Sequence, residues 1–379
     1  MATTHVFIVD NATFRFHLEH MFAGTGAKDY SIDFNGQRLS ALSHMRENLL
    51  LAMIADSQRV RVGDYVLFYL QQNFQQNIRE GKFYGIFRVA EAPSFLDHND
   101  AQQYLVADLG KSLTFRTLIE PVQVYAHGVT EWEALDEIRH IQSPNQMLWS
   151  LIYRKLKGNR GNTMITIYES ERLRHLIRDK NNLHILDANS FTFNVADQTI
   201  SPHEGPVPYA GRKDVINVLP RLVEKYTRNN QFESHLQAHI VRNIETIGIF
   251  DEENIEWLGN EVSCGVGMQR IDVMLSVERE QRTVIPVELK STVAPFGITS
   301  QIQRYVDWIQ QYYLANRPSD IEPMLISRYI ADKESEGFAQ LVAEFTEFND
   351  RNRIGRLRYV EFSVDTDEET ISFEEIEYL

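Results

Sequence analysis

The chain has 379 residues, of which 43% are hydrophobic and 24% charged, with 38 Lys and Arg against 53 Asp and Glu. That composition is that of a folded globular chain long enough for two or three cores, and it excludes wholesale disorder and a collagen-like or coiled-coil rod. The longest purely apolar run, Leu49 to Ala55, falls far short of the roughly 20 residues a membrane helix needs, so no membrane association is expected.

The sequence opens without a basic stretch followed by an apolar one, so no secretory signal is expected. One cysteine, Cys264, excludes an intramolecular disulfide and a multi-cysteine zinc site; a small buried residue in a reducing cytoplasm is the expectation. The formal charge of −15 argues against non-specific coating of nucleic acid. The charge is polarised, however. Acidic residues crowd the C-terminus from Asp365 to Glu377, whereas residues 150–180 carry eight basic side chains against three acidic ones.

In chain order, Val6–Val9 reads as a strand and Leu39–Ala55 as a helix with an apolar stripe. Arg61-Val-Gly-Asp is a turn feeding a strand at Tyr65–Tyr69. A second strand, Lys82–Val89, has Gly85 inside it, which marks a bulge or a close approach. Phe115–Val124 is a third strand region, and Thr130 with Glu133 has capping-box spacing at the start of a helix. Pro144–Leu156 reads as another helix and Leu183–Ile200 as a hairpin turning at Asp187-Ala-Asn. Three prolines and two glycines then fall within residues 201–211, which predicts a linker over 201–212 between domains 1–200 and 213–379.

Beyond the linker the spacing predicts helices at 214–227 and 231–246, and strands at 255–258, 271–277 and 283–290. A helix at 299–315, a strand at 323–327, a helix at 336–351 and strands at 357–364 and 371–376 complete the chain. That order is an α/β sandwich with a mixed sheet.

The chemistry concentrates in Arg270-Ile-Asp-Val-Met and Val284-Ile-Pro-Val-Glu-Leu-Lys, two strands flanking a polar loop of hairpin length. A hairpin centred on residue 280 sets Asp272 opposite Glu288, Cβ atoms about 5 Å apart, with Lys290 on the same face. Two carboxylates that close are unfavourable unless something positive sits between them. A magnesium ion suits them, because it takes one or two carboxylates and completes its shell with water and phosphate. The alternative is a solvated strand face with a cross-strand ion pair. Glu233 lies on a helix with Leu236, Ile240 and Ile244 as its apolar stripe, and Gln301 and Tyr305 sit one turn apart on another.

Together, Glu233, Gly267-x-x-Arg-Ile-Asp272, Glu288-Leu-Lys290 and Gln301-x-x-x-Tyr305 resemble the nuclease core of the PD-(D/E)xK superfamily, in the RecB-like branch that includes the NucS endonuclease C-terminal domain. The resemblance covers roughly residues 215–330. It implies a magnesium- or manganese-dependent phosphodiesterase with Asp272, Glu288 and Glu233 at the metal and Lys290 as the catalytic lysine. Gln301 and Tyr305 would contact DNA or brace the site. Two departures stand out: Ile271 rather than proline precedes Asp272, and Pro286 lies inside the strand, where a bulge would upset the 272–288 register.

The first domain, through Gly63-Asp-Tyr-Val-Leu-Phe-Tyr and Phe83-Tyr-Gly-Ile-Phe-Arg-Val, resembles the PUA-like group that includes EVE and YTH domains. That implies an α+β small barrel that binds nucleic acid and takes a flipped, modified base between aromatic walls. Trp149, Trp132, Tyr65, Tyr69 and Tyr84 are the candidates for those walls, and core packing is the competing role for each. In the run Tyr153 to Asn162, Arg154, Lys155, Lys157, Arg160 and Asn162 are candidates for phosphate contact, against a plain solvated helix face.

The expected function is a magnesium-dependent DNA endonuclease, acting as a homodimer and restricting DNA whose modified base the first domain reads. Its alternatives are a NucS-like repair nuclease for mismatched or branched DNA, and a binding module whose nuclease core has lost activity. No P-loop or dinucleotide fingerprint is present.

Overall fold

The computed structural model describes residues 2–27, 43–76, 78–91, 93–136, 141, 143–147, 161–205, 207–250, 253–264, 269–314 and 320–378. Its internal contacts divide it into two units, Met1–Asp33 with Asp56–Ile216 and Phe34–Ala55 with Asn217–Leu379. The division falls between Ile216 and Asn217, beyond the stretch read as a linker. That stretch is bound into the first unit: Arg212 donates to Asp97 at 3.0 Å and to Asp100 at 2.8 Å, and the Tyr209 ring meets Phe95 and Tyr104 edge-on. Proline and glycine there mark irregular backbone, which is not the same as unpacked backbone.

In the first unit the strands are β1 (Thr4–Val9), β2 (Phe22–Thr25), β3 (Tyr65–Leu70), β4 (Lys82–Val89), β5 (Phe95–Leu96), β6 (Phe115–Pro121), β7 (Val129–Thr130) and β8 (Asn162–Ile165). They form one sheet of order β2-β6-β4-β3-β1-β8, with β5 on β6 and β7 on β4. β1 and β3 run parallel, and the other pairs are antiparallel. The expected irregularity at Gly85 is present. Pairing between β3 and β4 slips one residue between Val66 and Phe68, and Gly85 takes φ +137°, where a Cβ would meet Leu67 at 3.0 Å. A side chain is disfavoured there both by conformation and by space.

The Thr130 cap also forms, with Glu133 accepting from the Thr130 N–H and donating its own N–H to the threonine hydroxyl. A second capping box, Thr166 with Glu169, starts the helix Ile167–Lys180. The 183–200 hairpin is real but displaced: β9 (Phe191–Asn194) and β10 (Thr199–Pro202) turn at residues 195–198 rather than 187–189. Of the helix read at 144–156, only a 3₁₀ turn at Pro144–Gln146 lies within the described residues.

The second unit is built on β11 (Ile255–Ser263), β12 (Arg270–Glu278), β13 (Arg282–Leu289), β14 (Met324–Arg328), β15 (Arg358–Asp365) and β16 (Thr370–Glu375), paired in that order. β11, β12 and β13 form an antiparallel meander, β13, β14 and β15 run parallel, and β16 returns antiparallel. The mixed sheet of the sequence reading is therefore present. Odd-numbered residues of β12 and β13, from Val273 to Leu289, pack with Leu222, Leu236 and Ile240 of the helices Leu219–Thr227 and Glu233–Asn243. The opposite face meets the helices Ile298–Trp308 and Glu336–Arg351, as the Tyr305–Glu288 and Phe345–Tyr359 contacts show. Strand alternation sorts the two faces.

Pro286 introduces no bulge, since Val273↔Val287, Met274↔Pro286 and Leu275↔Ile285 pair in unbroken register. On the β14 side, Glu322 N–H bonds to Val284 O and Lys290 N–H to Ile326 O, so even-numbered residues of β13 direct their backbone groups there. The missing donor of Pro286 thus faces the chain just ahead of Met324, where β14 begins. A buried ionic cluster ties residue 47 to the first two helices. Glu47 accepts from Arg221 at 2.8 Å and from His235 at 2.9 Å, and lies 3.0 Å from Lys225. Although burial works against the carboxylate charge, these partners hold its pKa well below the usual range. Among the described residues no helix is long and apolar enough to cross a membrane.

Burial pushes His17 down to about 3 and His239 down to about 4, from an ordinary 6.5. Both are neutral when folded and take up a proton on unfolding below their ordinary value. Their contribution to stability is complete above pH 6.5 and declines as pH falls toward the folded values. Each adds a slope of about 1.4 kcal/mol per pH unit in that window. Urea midpoints are expected to drop between about pH 7 and about pH 5, and the drop should flatten in a His17→Gln, His239→Gln variant.

Candidate active site

The β12–β13 ladder carries one step past Val273↔Val287 to set Asp272 opposite Glu288. These two and Lys290 share the face that meets the helix Ile298–Trp308. Glu288 is 1% exposed, which removes the solvated-face alternative. Its two oxygens have separate donors: Lys290 Nζ bonds to Oε1, and the Tyr305 hydroxyl lies 2.6 Å from Oε2. The tyrosine oxygen accepts from Gln301 Nε2 at 2.8 Å and sits 2.9 Å from the Arg270 carbonyl. Gln301 and Tyr305, one turn apart, thus act as a single arm on Glu288.

Asp272 accepts the Leu289 N–H through Oδ2 at 2.8 Å, and its carbonyl accepts from Gln237 at 2.8 Å. Glu233, exposed at the start of its helix, accepts the Ser291 N–H at 3.3 Å, one residue beyond Lys290. The six candidate residues therefore gather at the C-terminal end of β13. Gln237 and Ser291 were not singled out by sequence. Gln237 follows Glu233 by four residues, the same one-turn spacing as Gln301 and Tyr305, and that was the available signal.

Burial, and after it the charge of Glu288, raises the Asp272 pKa well above the usual carboxylate range; the Leu289 N–H and Lys290 oppose them. Burial disfavours the Lys290 charge, but attraction to Glu288 outweighs it and the ammonium is held more firmly than usual. Burial and then Glu288 push Tyr305 far up, so its hydroxyl stays a donor. Burial and the surplus of negative groups over the one ammonium thus both favour the protonated form of Asp272.

A divalent cation answers the same imbalance. Among the described residues no group of three or more His, Cys, Asp or Glu side chains could hold a metal ion. The expected trio of Asp272, Glu288 and Glu233 is therefore not assembled as one ligand set. The Glu233 carboxylate instead meets the Ser291 N–H at the helix start. Two hard carboxylates, Asp272 and Glu288, do fit magnesium with water and phosphate completing its shell.

In the first unit the candidate base-pocket residues do not converge. Tyr84 is buried among Phe14, Phe68 and Phe193, with its hydroxyl on Gln198 O, and Tyr69 belongs to a different packed cluster with its hydroxyl on Glu131. Tyr65 lies beneath the Arg174 guanidinium at 4.1 Å, and Trp132 is half exposed. Core packing accounts for Tyr69 and Tyr84, because a tyrosine buries its ring once its hydroxyl has a partner. Asn162 is also internal, bonded to Arg59 and to the Asp56 carbonyl, and so is not a phosphate contact. Trp149, Arg154, Lys155, Lys157 and Arg160 lie outside the described residues. Two open clefts, of about 550 Å³ beside Gly63, Arg88 and Tyr209 and about 820 Å³ beside Tyr168, Arg172 and His175, are lined by none of the described candidate aromatics.

A carboxylate ligates magnesium only when deprotonated, and the raised pKa of Asp272 moves that step up in pH, so any magnesium affinity measured by calorimetry is expected to rise with pH, up to about tenfold per pH unit below that pKa. Asp272→Asn should weaken binding and remove most of that dependence.

No family model matches the chain, and no curated protein matches it. Among solved structures, human THYN1 protein in complex with 5-methylcytosine containing DNA aligns with 45% of this chain and 94% of that chain, at 7% identity and a TM-score of 0.26. A superposition that loose carries no argument for fold or function.

Proposed function

We propose that the second unit hydrolyses phosphodiester bonds of DNA with magnesium or manganese. The observation that carries this reading is the buried Glu288 carboxylate, bonded to Lys290 and Tyr305 and facing Asp272 at the end of a strand. Nothing in packing alone calls for two acids and a lysine there, and strand ends of such sheets are where sites are built. Asp272 and Glu288 would hold the metal, which supplies positive charge to the phosphate and activates water. Lys290 offsets charge growing on the phosphoryl oxygens. Tyr305 and Gln301 fix the Glu288 carboxylate, and the Leu289 N–H fixes Asp272. Water adds to phosphorus and one P–O bond breaks, leaving a phosphate monoester and a hydroxyl.

The resemblance of the first unit's sequence to PUA-like domains supports a biological role on top of this chemistry. The proposed role is restriction of DNA carrying a modified base, with the first unit as reader and the second as blade. Tyr69 and Tyr84 are taken up by core packing, which leaves Trp149, Trp132 and Tyr65 as the candidates for reading the base.

The test is cleavage, with magnesium, of one plasmid prepared unmodified, adenine-methylated and cytosine-methylated. Cutting of one modified form is expected. Equal cutting of all three removes the modified-base role and leaves a repair or structure-specific nuclease. Lys290→Ala and Asp272→Ala are expected to lower the rate at least about 100-fold while DNA binding, measured by anisotropy, is retained. If either variant cuts at the native rate, the site assignment is wrong.

A further inference from the structure

Among the described residues of the first unit, two large aromatic side chains are exposed, Phe74 at 74% and Trp132 at 50%. Phe74 lies on the connection from β3 to β4, in the 3₁₀ turn Phe74–Gln76. The base of that connection is braced. Asn73 and Ile78 exchange both backbone hydrogen bonds, at 3.0 and 2.9 Å, and the Asn73 side-chain carbonyl accepts the Gln75 N–H at 3.0 Å. Gln72 Nε2 donates to the Arg79 carbonyl at 2.6 Å, and Ile78 is fully buried in the core. The backbone thus holds the Phe74 ring in water, where it contributes nothing to the burial that stabilises the fold.

The far end of the connection is locked to the element that carries Trp132. Gly81 lies against Tyr69, where a Cβ would come within 2.0 Å of the phenol oxygen. The Tyr69 hydroxyl donates to Glu131 at 2.7 Å, and the Glu131 N–H donates to Gly81 O at 2.9 Å. Trp132 follows directly, so both rings emerge at one end of the β3–β4 pair, near the exposed Arg79 and Lys82. The acids on either side of Trp132 are engaged, Glu131 by Tyr69 and Glu133 by Thr130 and Lys180. Around Phe74 the sequence is all carboxamide, with Gln71, Gln72 and Asn73 before it and Gln75 and Gln76 after it. A lone ring among amides differs from the apolar patch with which one protein meets another. It fits a base stack, where an apolar wedge enters between base faces and amides reach base edges. A base drawn out of a duplex leaves a space of that kind, bounded by the faces of its neighbours.

We propose that Phe74 enters duplex DNA and fills the space left by the base that the first unit draws out. This rests on the reading of that unit as the part that recognises a modified base. The probe is a fluorescein-labelled duplex with one tetrahydrofuran abasic site, compared with the intact, unmodified duplex of the same sequence. Both are bound to the full chain in EDTA and followed by anisotropy. The abasic duplex presents the space with no base to extract, so the wild type is expected to bind it about tenfold or more tightly. Phe74→Ala should erase that preference, with a urea midpoint that matches the wild type because the ring is exposed. Phe74→Trp should keep the preference. So should Val62→Ala, which alters an exposed apolar residue near the opposite end of β3. Equal affinity of the wild type for the two duplexes, binding to neither, or a Phe74→Ala variant that retains the preference overturns the wedge. Cleavage of the three plasmids is scored separately. Selective cutting of one modified plasmid without a Phe74-dependent preference removes the wedge and keeps the reader. A Phe74-dependent preference with equal cutting of all three keeps the wedge and removes the modified base as the mark.

Discussion

The constraint on which the second unit depends is the burial of one carboxylate, Glu288, inside a sheet. Taking an isolated charge out of water costs several kcal/mol even after relaxation, so its neighbours are fixed by that requirement. Lys290 supplies the countercharge from the same strand, and Tyr305 supplies a hydrogen bond from across the layer. Gln301 then holds the tyrosine oxygen, and the Arg270 carbonyl bounds it on the other side. Asp272 arrives through strand pairing and has no equal countercharge, so burial and the charge of Glu288 raise its pKa.

The sheet makes this possible by keeping its two faces distinct. Odd-numbered residues of β12 and β13 build the apolar layer against the helices Leu219–Thr227 and Glu233–Asn243. That layer bears the hydrophobic stabilisation, so the other face can carry polar groups at one end. β13 is where antiparallel pairing on one side gives way to parallel pairing on the other. Its C-terminal end therefore borders the start of one strand, β12, and the ends of the strands that run beside it.

Much of this was legible in the sequence because it depends on local spacing. The period-2 strands 271–277 and 283–290 and the short polar loop between them were enough to set 272 against 288. The one-turn spacing of Gln301 and Tyr305 placed both on one helix face. What escaped depends on contacts between distant segments. The Glu47 cluster needs a helix nearly two hundred residues from its partners, and nothing around residue 47 announces it. Tyr69 and Tyr84 carry the same ring and hydroxyl whether they line a pocket or fill a core, and only burial distinguishes the two. The 201–212 stretch misled for a related reason, because proline and glycine report backbone geometry, whereas Arg212 and Tyr209 decide whether the segment is anchored. Helix Ile167–Lys180 was missed although its Thr166 and Glu169 spacing was there to be read.

The helix that delivers Tyr305 begins at Gly297, in the left-handed conformation at φ +76°. Two of the N–H groups at this helix start find their acceptor outside the loop. The Glu344 carboxylate, from the helix Glu336–Arg351, accepts the N–H of Gly297 and that of Thr299, each at 2.9 Å, together with the Thr299 hydroxyl. The axial position of the Tyr305 hydroxyl is thus set by a residue about forty positions further along the chain. The Asp272 and Glu288 carboxylates and Lys290 come from one hairpin and its end, whereas the second donor to Glu288, Tyr305, sits on a helix whose start is held by Glu344. The arrangement around Glu288 therefore draws on segments from Glu233 to Glu344, so its geometry depends on the packing of most of the second unit.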